Sequence, residues 1–112
     1  MKNRLTTDCP SHKAYHALIR ELLPIRYPTI DHVAHLLGVP VRTLQRRFQK
    51  NGISYSELVE ETRCELAIRL LAEPGMPVAA VARALGYADP SSFSRAFRRW
   101  TGMAPKAYRR RQ

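Results

Sequence analysis

This 112-residue sequence contains the same motif twice. In each copy, an apolar segment that begins with Val-Ala ends in Leu-Gly, and a basic segment that ends in phenylalanine follows. Gly38 and Gly86 lie 48 residues apart, and Phe48 and Phe97 lie 49 residues apart. An alanine four residues before each glycine allows two helices to approach closely, and glycine readily adopts the positive φ of a sharp turn. The repeat therefore predicts two helix-turn-helix units.

The basic residues are concentrated in the two motifs. The sequence has 19 Lys and Arg against 9 Asp and Glu, which gives a formal net charge of +10. Residues 93–112 contain seven basic residues and residues 38–52 contain four, and neither segment contains an acidic residue. Such segments favour a polyanion, because each phosphate that they neutralise releases counterions. We therefore expect the two motifs to bind DNA.

The composition argues against several other classes of protein. Cys9 and Cys64 are too few for a disulfide framework, which favours a reducing compartment. No apolar segment approaches the ~20 residues that a membrane span needs, and the start of the chain is too polar for a signal peptide. Cys9, His12 and His16 have spacings that a metal site could use, but no fourth ligand is evident. We therefore expect a cytoplasmic protein without a metal, a cofactor or a membrane partner.

The sequence predicts an all-α fold of about seven helices, because no segment shows the sustained alternation of apolar and polar residues that is typical of a strand. Residues 1–10 are predicted to be a flexible lead or a remnant of cloning, and residues 11–112 to form one domain. Within this domain we place a first helix-turn-helix at about residues 29–50, a linker helix at about 54–72 and a second helix-turn-helix at about 77–100.

Capping residues mark where several of these helices begin. Ser11 is the expected N-cap of the first helix, and Thr29 is the expected N-cap of the second, which ends at Gly38. Asp89 is expected to cap the sixth helix, with Pro90 as its first residue, because proline is favoured at that position. The remaining expected bounds are an end near residue 23 for the first helix, residues 40–50 for the third, an end near 85 for the fifth, an end near 99 for the sixth, and residues 105–111 for a short last helix.

A long helix is predicted to join the two units. Ser54 and Glu57 have the spacing of a capping box, which places the start of this helix. At about 1.5 Å per residue, the helix would span about 28 Å, similar to the ~34 Å that separates successive major-groove faces of duplex DNA. Its apolar residues cover an arc that is wide enough to contact both units, namely Leu58, Val59, Cys64, Leu66, Ile68, Leu70 and Leu71. Arg63 lies within this arc, so we interpret it as a structural residue rather than a DNA contact.

The aromatic residues of the two units occur at helix-core spacing. They could in principle stack on the bases of a single strand, as aromatic side chains do in proteins that bind single-stranded nucleic acid. Their spacing instead predicts that they pack in the cores, and the residues concerned are Phe48, Phe93, Phe97, Trp100 and Tyr108.

The sequence resembles the signature of the AraC/XylS transcription regulators. The resemblance rests on Arg63-x-x-x-Ala67-x-x-Leu70-Leu71 and on Gly86-Tyr87-x-Asp89-x-Ser91-x-Phe93-Ser94-Arg95-x-Phe97-Arg98-Arg99-x-x-Gly102-x-x-Pro105-x-x-Tyr108-Arg109. It extends over about residues 11–110, and it implies that the second helix of each unit enters a major groove. Pro40 and Ala104 depart from the family, because Ser or Thr is common at both positions as a helix cap. The starts of these two helices are therefore open to fraying or displacement.

The resemblance also implies which side chains face the DNA bases. They are Val41, Arg42, Gln45 and Arg46 in the first unit and Pro90, Ser91, Ser94 and Arg95 in the second. Arginine can bind guanine O6 and N7 with two hydrogen bonds, and glutamine can bind adenine N6 and N7 in the same way. The alternative is a basic helix face that is merely solvated. Because Pro90 and Ser91 are small, we expect the first unit to carry more of the sequence specificity. Contacts to phosphates are expected from Arg47, Lys50, Arg98 and Arg99.

The function implied by this resemblance is the sequence-specific control of transcription, most often activation. The implied partners are double-stranded DNA, which this domain would bind as a monomer, and RNA polymerase. Two alternatives remain: a basic nucleoid-type protein that coats nucleic acid without specificity, and an enzyme that carries this domain as an appendage. No activated nucleophile, catalytic carboxylate pair or phosphate-binding glycine loop is evident, so we expect no enzymatic activity. The chain is either a stand-alone regulator or a C-terminal domain of a protein that dimerises through an N-terminal domain.

Overall fold

The computed structural model describes residues 12–111, and within this range it contains seven α-helices and no strand. The helices are α1 (His12–Leu22), α2 (Ile30–Leu37), α3 (Val41–Lys50), α4 (Tyr55–Leu71), α5 (Val78–Ala84), α6 (Pro90–Thr101) and α7 (Pro105–Arg110). The predicted all-α class is therefore confirmed. The lead at residues 1–10, the Ser11 cap and Cys9 lie outside the described residues.

The turn between α2 and α3 forms as the sequence predicts. The side chain of Thr29 accepts a hydrogen bond of 3.2 Å from the backbone N–H of His32 and thereby caps α2. Gly38 ends α2 with a φ of 71°, a conformation in which a side chain would be strained. Pro40 supplies no capping hydrogen bond, yet α3 begins directly after it because the backbone of Pro40 is extended, with ψ at 147°. The proline therefore removes a cap without displacing the helix.

The linker helix α4 begins at a complete capping box. The backbone N–H of Glu57 donates to Ser54 Oγ over 3.1 Å, and the backbone N–H of Ser54 donates to Glu57 Oε1 over 2.8 Å. The helix has 17 residues, which corresponds to a length of about 25 Å at ~1.5 Å per residue. It ends at Leu71, one residue before the predicted end.

Two hydrophobic cores lie along α4, one for each unit. Leu58 and Val59 are buried in the first core, and Ala67 and Leu71 are buried in the second. The prediction that α4 contacts both units is therefore confirmed. The predicted arc is nevertheless too wide, because Ile68 is 36% exposed and Cys64 is only half-buried. These two residues are four positions apart and share a face that is turned away from the centres of the cores.

The aromatic residues pack in these cores, as their spacing predicts. Phe48, Phe93 and Phe97 are fully buried. The ring of Phe48 packs edge-to-face on Tyr15 with a centroid distance of 5.1 Å, and the ring of Phe97 packs in the same way on Tyr108 at 5.3 Å. Such pairs add to the stability that burial alone provides. Trp100 is half-buried and also packs against the second core.

The two units touch at a junction where Gly86 meets the backbone of Leu23. Leu23 belongs to the first core, and Gly86 lies two residues after the end of α5 in the second unit. A Cβ atom on Gly86 would lie 2.5 Å from the carbonyl oxygen of Leu23, and the φ of Gly86 is 87°. Only glycine therefore allows the two backbones to approach this closely.

Arg63 of α4 completes this junction. Its side chain is buried, and its Nε donates a hydrogen bond of 3.2 Å to the carbonyl oxygen of Leu85 at the end of α5. The guanidinium lies over the ring of Tyr87 at 4.3 Å and over the ring of Tyr27 at 5.3 Å. Its Nη1 also lies 3.4 Å from a carboxylate oxygen of Glu60, which balances the buried charge. The interpretation of Arg63 as a structural residue is therefore confirmed.

We expect the variant Gly86→Ala to be less stable than the matched variant Gly75→Ala. Both glycines have a positive φ, but a Cβ atom on Gly75 would meet no atom within 4 Å. The backbone conformation alone should cost about 1–2 kcal/mol in each variant. Overlap with the carbonyl of Leu23 should cost Gly86→Ala about 1–3 kcal/mol more, because the units must move apart. Urea denaturation measures both free energies of unfolding, and equal losses would show that the junction tolerates a side chain.

Candidate nucleic-acid interface

Helix α3 presents a row of polar side chains to solvent. Leu44 and Phe48 are buried in the first core and anchor the opposite face of the helix. The predicted residues Arg42, Gln45 and Arg46 are exposed, because they lie at the i, i+3 and i+4 positions that point away from this core. The structure therefore brings the three side chains together on one surface of the first unit.

An open groove of about 510 Å³ runs along this face of α3. It is lined by Val41, Arg42, Gln45, Arg46 and Gln49. Val41 is half-buried, and it packs against the first core while it also borders the groove. Gln49 is not among the residues predicted from the sequence, although its position one turn after Gln45 and Arg46 places it on the same face of α3.

The expected phosphate contacts of the first unit lie in the last turn of α3. Arg47 is half-buried, and Lys50 is exposed. The carbonyl of Arg47 accepts hydrogen bonds from the backbone N–H and from Nδ2 of Asn51, and the second of these is 2.7 Å long. These bonds fix the end of the helix, where positive side chains also interact favourably with the helix dipole. A positive charge at this end lies beside the groove rather than within it.

The second unit presents α6 in a similar way. Phe93, Ala96 and Phe97 are buried, and this leaves Pro90, Ser91 and Arg95 exposed on the outer side. Ser94 is half-buried and lines a groove of about 600 Å³, together with residues of α5 and α7. The four predicted residues are therefore all at the surface of one helix. Their side chains are shorter than those of α3, except for Arg95.

Arg95 belongs to a small hydrogen-bonded group at the start of α6. The carboxylate of Asp89 caps the helix, because its Oδ1 accepts the backbone N–H of Ser92 over 2.8 Å. Asp89 Oδ2 lies 3.3 Å from the hydroxyl of Ser92, and Arg95 Nη2 donates to that hydroxyl over 3.4 Å. The backbone hydrogen bond from Ser92 is the main cause that lowers the pKa of Asp89, and the positive charge of Arg95 contributes. Ser92 is not among the residues predicted from the sequence, because its spacing alone does not show these contacts.

The end of α6 and the start of α7 add further basic residues. Arg98 and Arg99 are exposed in the last turn of α6, which ends at Gly102 with a φ of 81°. Helix α7 begins at Pro105, and Ala104 at its N-cap makes no capping hydrogen bond through its side chain. The Ser or Thr that is common at this position in the family is therefore not required to place the start of α7. Arg109 is structural in part, since its Nε donates to the carbonyl of Leu71 over 2.9 Å.

Three of the four acidic residues of α4 line a different groove. This groove has a volume of about 420 Å³, shares no residue with the grooves along α3 and α6, and is lined by Ser56, Glu57, Glu60, Glu61, Cys64 and Trp100. Burial and the nearby carboxylates raise the pKa of Cys64, so its thiol is a poor nucleophile at neutral pH. These three carboxylates therefore lie away from the exposed faces of α3 and α6, whereas the carboxylate of Asp89 lies at the start of α6.

Residues 12–111 contain no group of three or more His, Cys, Asp or Glu side chains that could hold a metal ion. In the same range, no helix has both the length and the apolar character that crossing a membrane requires.

Comparisons with known proteins agree on one kind of domain. A family described as "Helix-turn-helix domain" matches residues 33–111. The HTH-type transcriptional regulator VirS of Mycobacterium tuberculosis is 37% identical over 105 residues, which are 94% of this chain and 31% of VirS. The crystal structure of the transcriptional regulator CdpR of Pseudomonas aeruginosa has 42% identity and a TM-score of 0.74, over 88% of this chain and 31% of CdpR.

A third relative was crystallised with DNA. The DNA-binding domain of AdpA, a global transcriptional factor, in complex with a target DNA, has 28% identity and a TM-score of 0.71. The match covers 88% of this chain and 88% of that one. The present chain thus spans less than a third of the length of VirS and of CdpR, but most of the length of the AdpA domain.

Proposed function

Because the chain belongs to the AraC/XylS family of helix-turn-helix transcription regulators, we propose that it binds a bipartite site in duplex DNA and reads two successive major-groove segments. Helix α3 reads one segment, and helix α6 reads the other. The observation that carries this proposal is the row of exposed Arg and Gln side chains on α3, which faces away from a fully packed core. The AdpA domain in complex with its target DNA supports the same role.

The dimensions of the molecule support two contacts that are one helical turn apart. Its longest extent is 41 Å, which exceeds the ~34 Å between successive major-groove faces of duplex DNA. Both recognition helices pack against cores to which α4 contributes, so one chain presents them together. The domain is therefore proposed to bind its site as a monomer.

Within the first half-site, Arg42 and Arg46 are assigned to guanine, and Gln45 is assigned to adenine. Val41 borders the same groove, and its apolar side chain suits the methyl group of thymine. Gln49 extends this row by one turn and is added as a further candidate.

Within the second half-site, Arg95 is assigned to guanine. Pro90, Ser91 and Ser94 are short and contact base edges at close range. The first unit is therefore expected to carry more of the specificity. The proposed phosphate contacts, which position the protein without reading the sequence, are Arg47, Lys50, Arg98 and Arg99.

Other partners follow from the same proposal. We propose that the domain activates transcription and contacts RNA polymerase, and that it acts in the cytoplasm, where it reaches chromosomal DNA. Where the full-length protein dimerises, a separate domain would form the dimer. We assign no enzymatic activity. Non-specific coating of nucleic acid is the rival function, but it would not require Arg42, Gln45 and Arg46 on one face of α3.

Affinity for the bipartite site should depend on the helical phase of its halves. We expect one chain per site, with half-sites centred about 10–10.5 base pairs apart. An insertion of five base pairs turns the second half-site to the opposite side of the duplex, so affinity should fall to that of an isolated half-site. Fluorescence anisotropy with a labelled duplex measures both affinity and stoichiometry. Unchanged affinity after the insertion, or two chains per site, would refute the bipartite proposal.

Arg46 and Arg98 should differ in what they contribute to binding. Arg46→Ala should cost about 1–3 kcal/mol on the preferred site and relax the base preference at one position. Arg98→Ala should weaken binding to all sequences alike and reduce the slope of log affinity against log salt by about one, because it removes a phosphate contact. Selection from a randomised operator library measures the preferences, and circular dichroism checks the helix content. If Arg46→Ala leaves every base preference unchanged, the assignment of Arg46 to a base is wrong.

A further inference from the structure

Ser92 lies between a carboxylate and a guanidinium at the start of α6. Its hydroxyl donates to Asp89 Oδ2 over 3.3 Å and accepts from Arg95 Nη2 over 3.4 Å. Its backbone N–H donates to Asp89 Oδ1 over 2.8 Å, which fixes the carboxylate relative to the first turn of the helix. The three side chains therefore form a chain of hydrogen bonds that runs from the N-cap to Arg95.

We propose that Ser92 is a positioning residue, which orients the guanidinium of Arg95 toward its base through this chain and thereby strengthens the base preference of the second unit. The inference rests on the proposed function of Arg95 as a base contact. It assigns Ser92 and Asp89 a role in specificity, although neither side chain needs to touch the DNA.

The direction of the hydrogen bonds supports this role. A hydroxyl group has one proton and two acceptor lone pairs. The ionised carboxylate of Asp89 can only accept, so the proton of Ser92 points to Asp89 and a lone pair remains for Arg95. The lowered pKa of Asp89 keeps this carboxylate ionised at neutral pH. The polarity of the chain is therefore fixed, and the guanidinium is the donor at its end.

The geometry of the guanidinium leaves its other donors for the DNA. Arginine has five N–H groups in a rigid planar fork, and Ser92 occupies only one of them. Two parallel hydrogen bonds to guanine O6 and N7 remain available. Because an exposed arginine loses rotamer freedom when it binds, a side chain that is held in advance loses less. Within residues 12–111, Arg42 and Arg46 make no comparable side-chain hydrogen bond.

This device fits the composition of the second unit. Helix α6 offers one long base-reading side chain, Arg95, beside Pro90, Ser91 and Ser94, which are short. Its specificity therefore depends on how well Arg95 alone is oriented. The first unit has three long polar side chains on α3 and is less dependent on any one of them.

A shape-matched pair of variants tests the proposal. Ser92→Thr keeps the hydroxyl, and Ser92→Val has nearly the same shape without it. The Arg95→Ala variant first identifies the base pair at which the preference is lost. The readout is then the Kd for a duplex with a disfavoured base at this position, divided by the Kd for a duplex with the preferred base. Ser92→Val should lower this ratio roughly three- to tenfold, the size of one net hydrogen bond, whereas Ser92→Thr should keep it within about twofold. Preferences in the half-site of α3, and the affinity for unrelated DNA, should stay unchanged.

A double-mutant cycle identifies the residue through which Ser92 acts. In the Arg95→Ala background, Ser92→Val should have no further effect on the ratio, because Ser92 acts only through Arg95. Thermal unfolding and circular dichroism check that α6 is intact. Ser92→Ala replaces Ser92→Val if the branched side chain weakens the helix.

Three outcomes would overturn the proposal. If Ser92→Val and Ser92→Ala leave the ratio unchanged while Arg95→Ala abolishes the base preference, the proposed role of Ser92 is wrong. The assignment of Arg95 to a base would still stand. A higher ratio in these variants would show that Ser92 competes with the DNA for Arg95. If Arg95→Ala changes no base preference, the assignment of Arg95 to a base fails as well, and Ser92 has no base contact to orient.

Discussion

The placement of both recognition helices depends on the contacts that the buried guanidinium of Arg63 makes between the two units. Its Nε donates to the carbonyl of Leu85 at the end of α5, and the guanidinium lies over the rings of both Tyr27 and Tyr87. Glu60 lies beside it and also accepts the indole N–H of Trp100, near the end of α6, over 2.9 Å. Because the side chain of Glu60 is 39% exposed, water screens this ion pair, and the junction is held mainly by the buried hydrogen bond to Leu85 and by the two ring contacts of Arg63.

Close backbone contact at the same junction explains how one chain can present two recognition helices together. Gly86 lies against Leu23, and α4 contributes side chains to both cores. Two DNA contacts that are linked in this way act at a high effective concentration, because the second forms within the complex that the first has made. In the proposed bipartite complex, this linkage strengthens binding only when the spacing of the two half-sites matches the geometry of the junction.

Local signals in the sequence predicted most of the fold. Thr29, Ser54 and Asp89 act through residues within three positions, and their caps formed as expected. The exposed face of α3 followed from the helical period alone. The contact of Gly86 with Leu23, and the hydrogen bond of Trp100 to Glu60 across 40 residues, depend on tertiary packing and leave no local pattern. The helical wheel of α4 also placed Cys64 and Ile68 in the apolar arc, although Cys64 is half-buried and Ile68 is exposed. A wheel shows which residues share an arc, but it does not show where the neighbouring helices end.

The most direct test of a fixed arrangement is the distance between the two units in solution, with and without DNA. His35 and Arg83 are exposed near the ends of α2 and α5. After Cys9 and Cys64 are replaced, cysteines introduced at these two positions carry spin labels. Pulsed electron paramagnetic resonance then measures the distance between the labels. A fixed junction predicts a single narrow distribution of distances that stays the same when the bipartite duplex binds. A broad or bimodal distribution that narrows only on DNA would contradict it, because the DNA rather than the junction would then set the spacing.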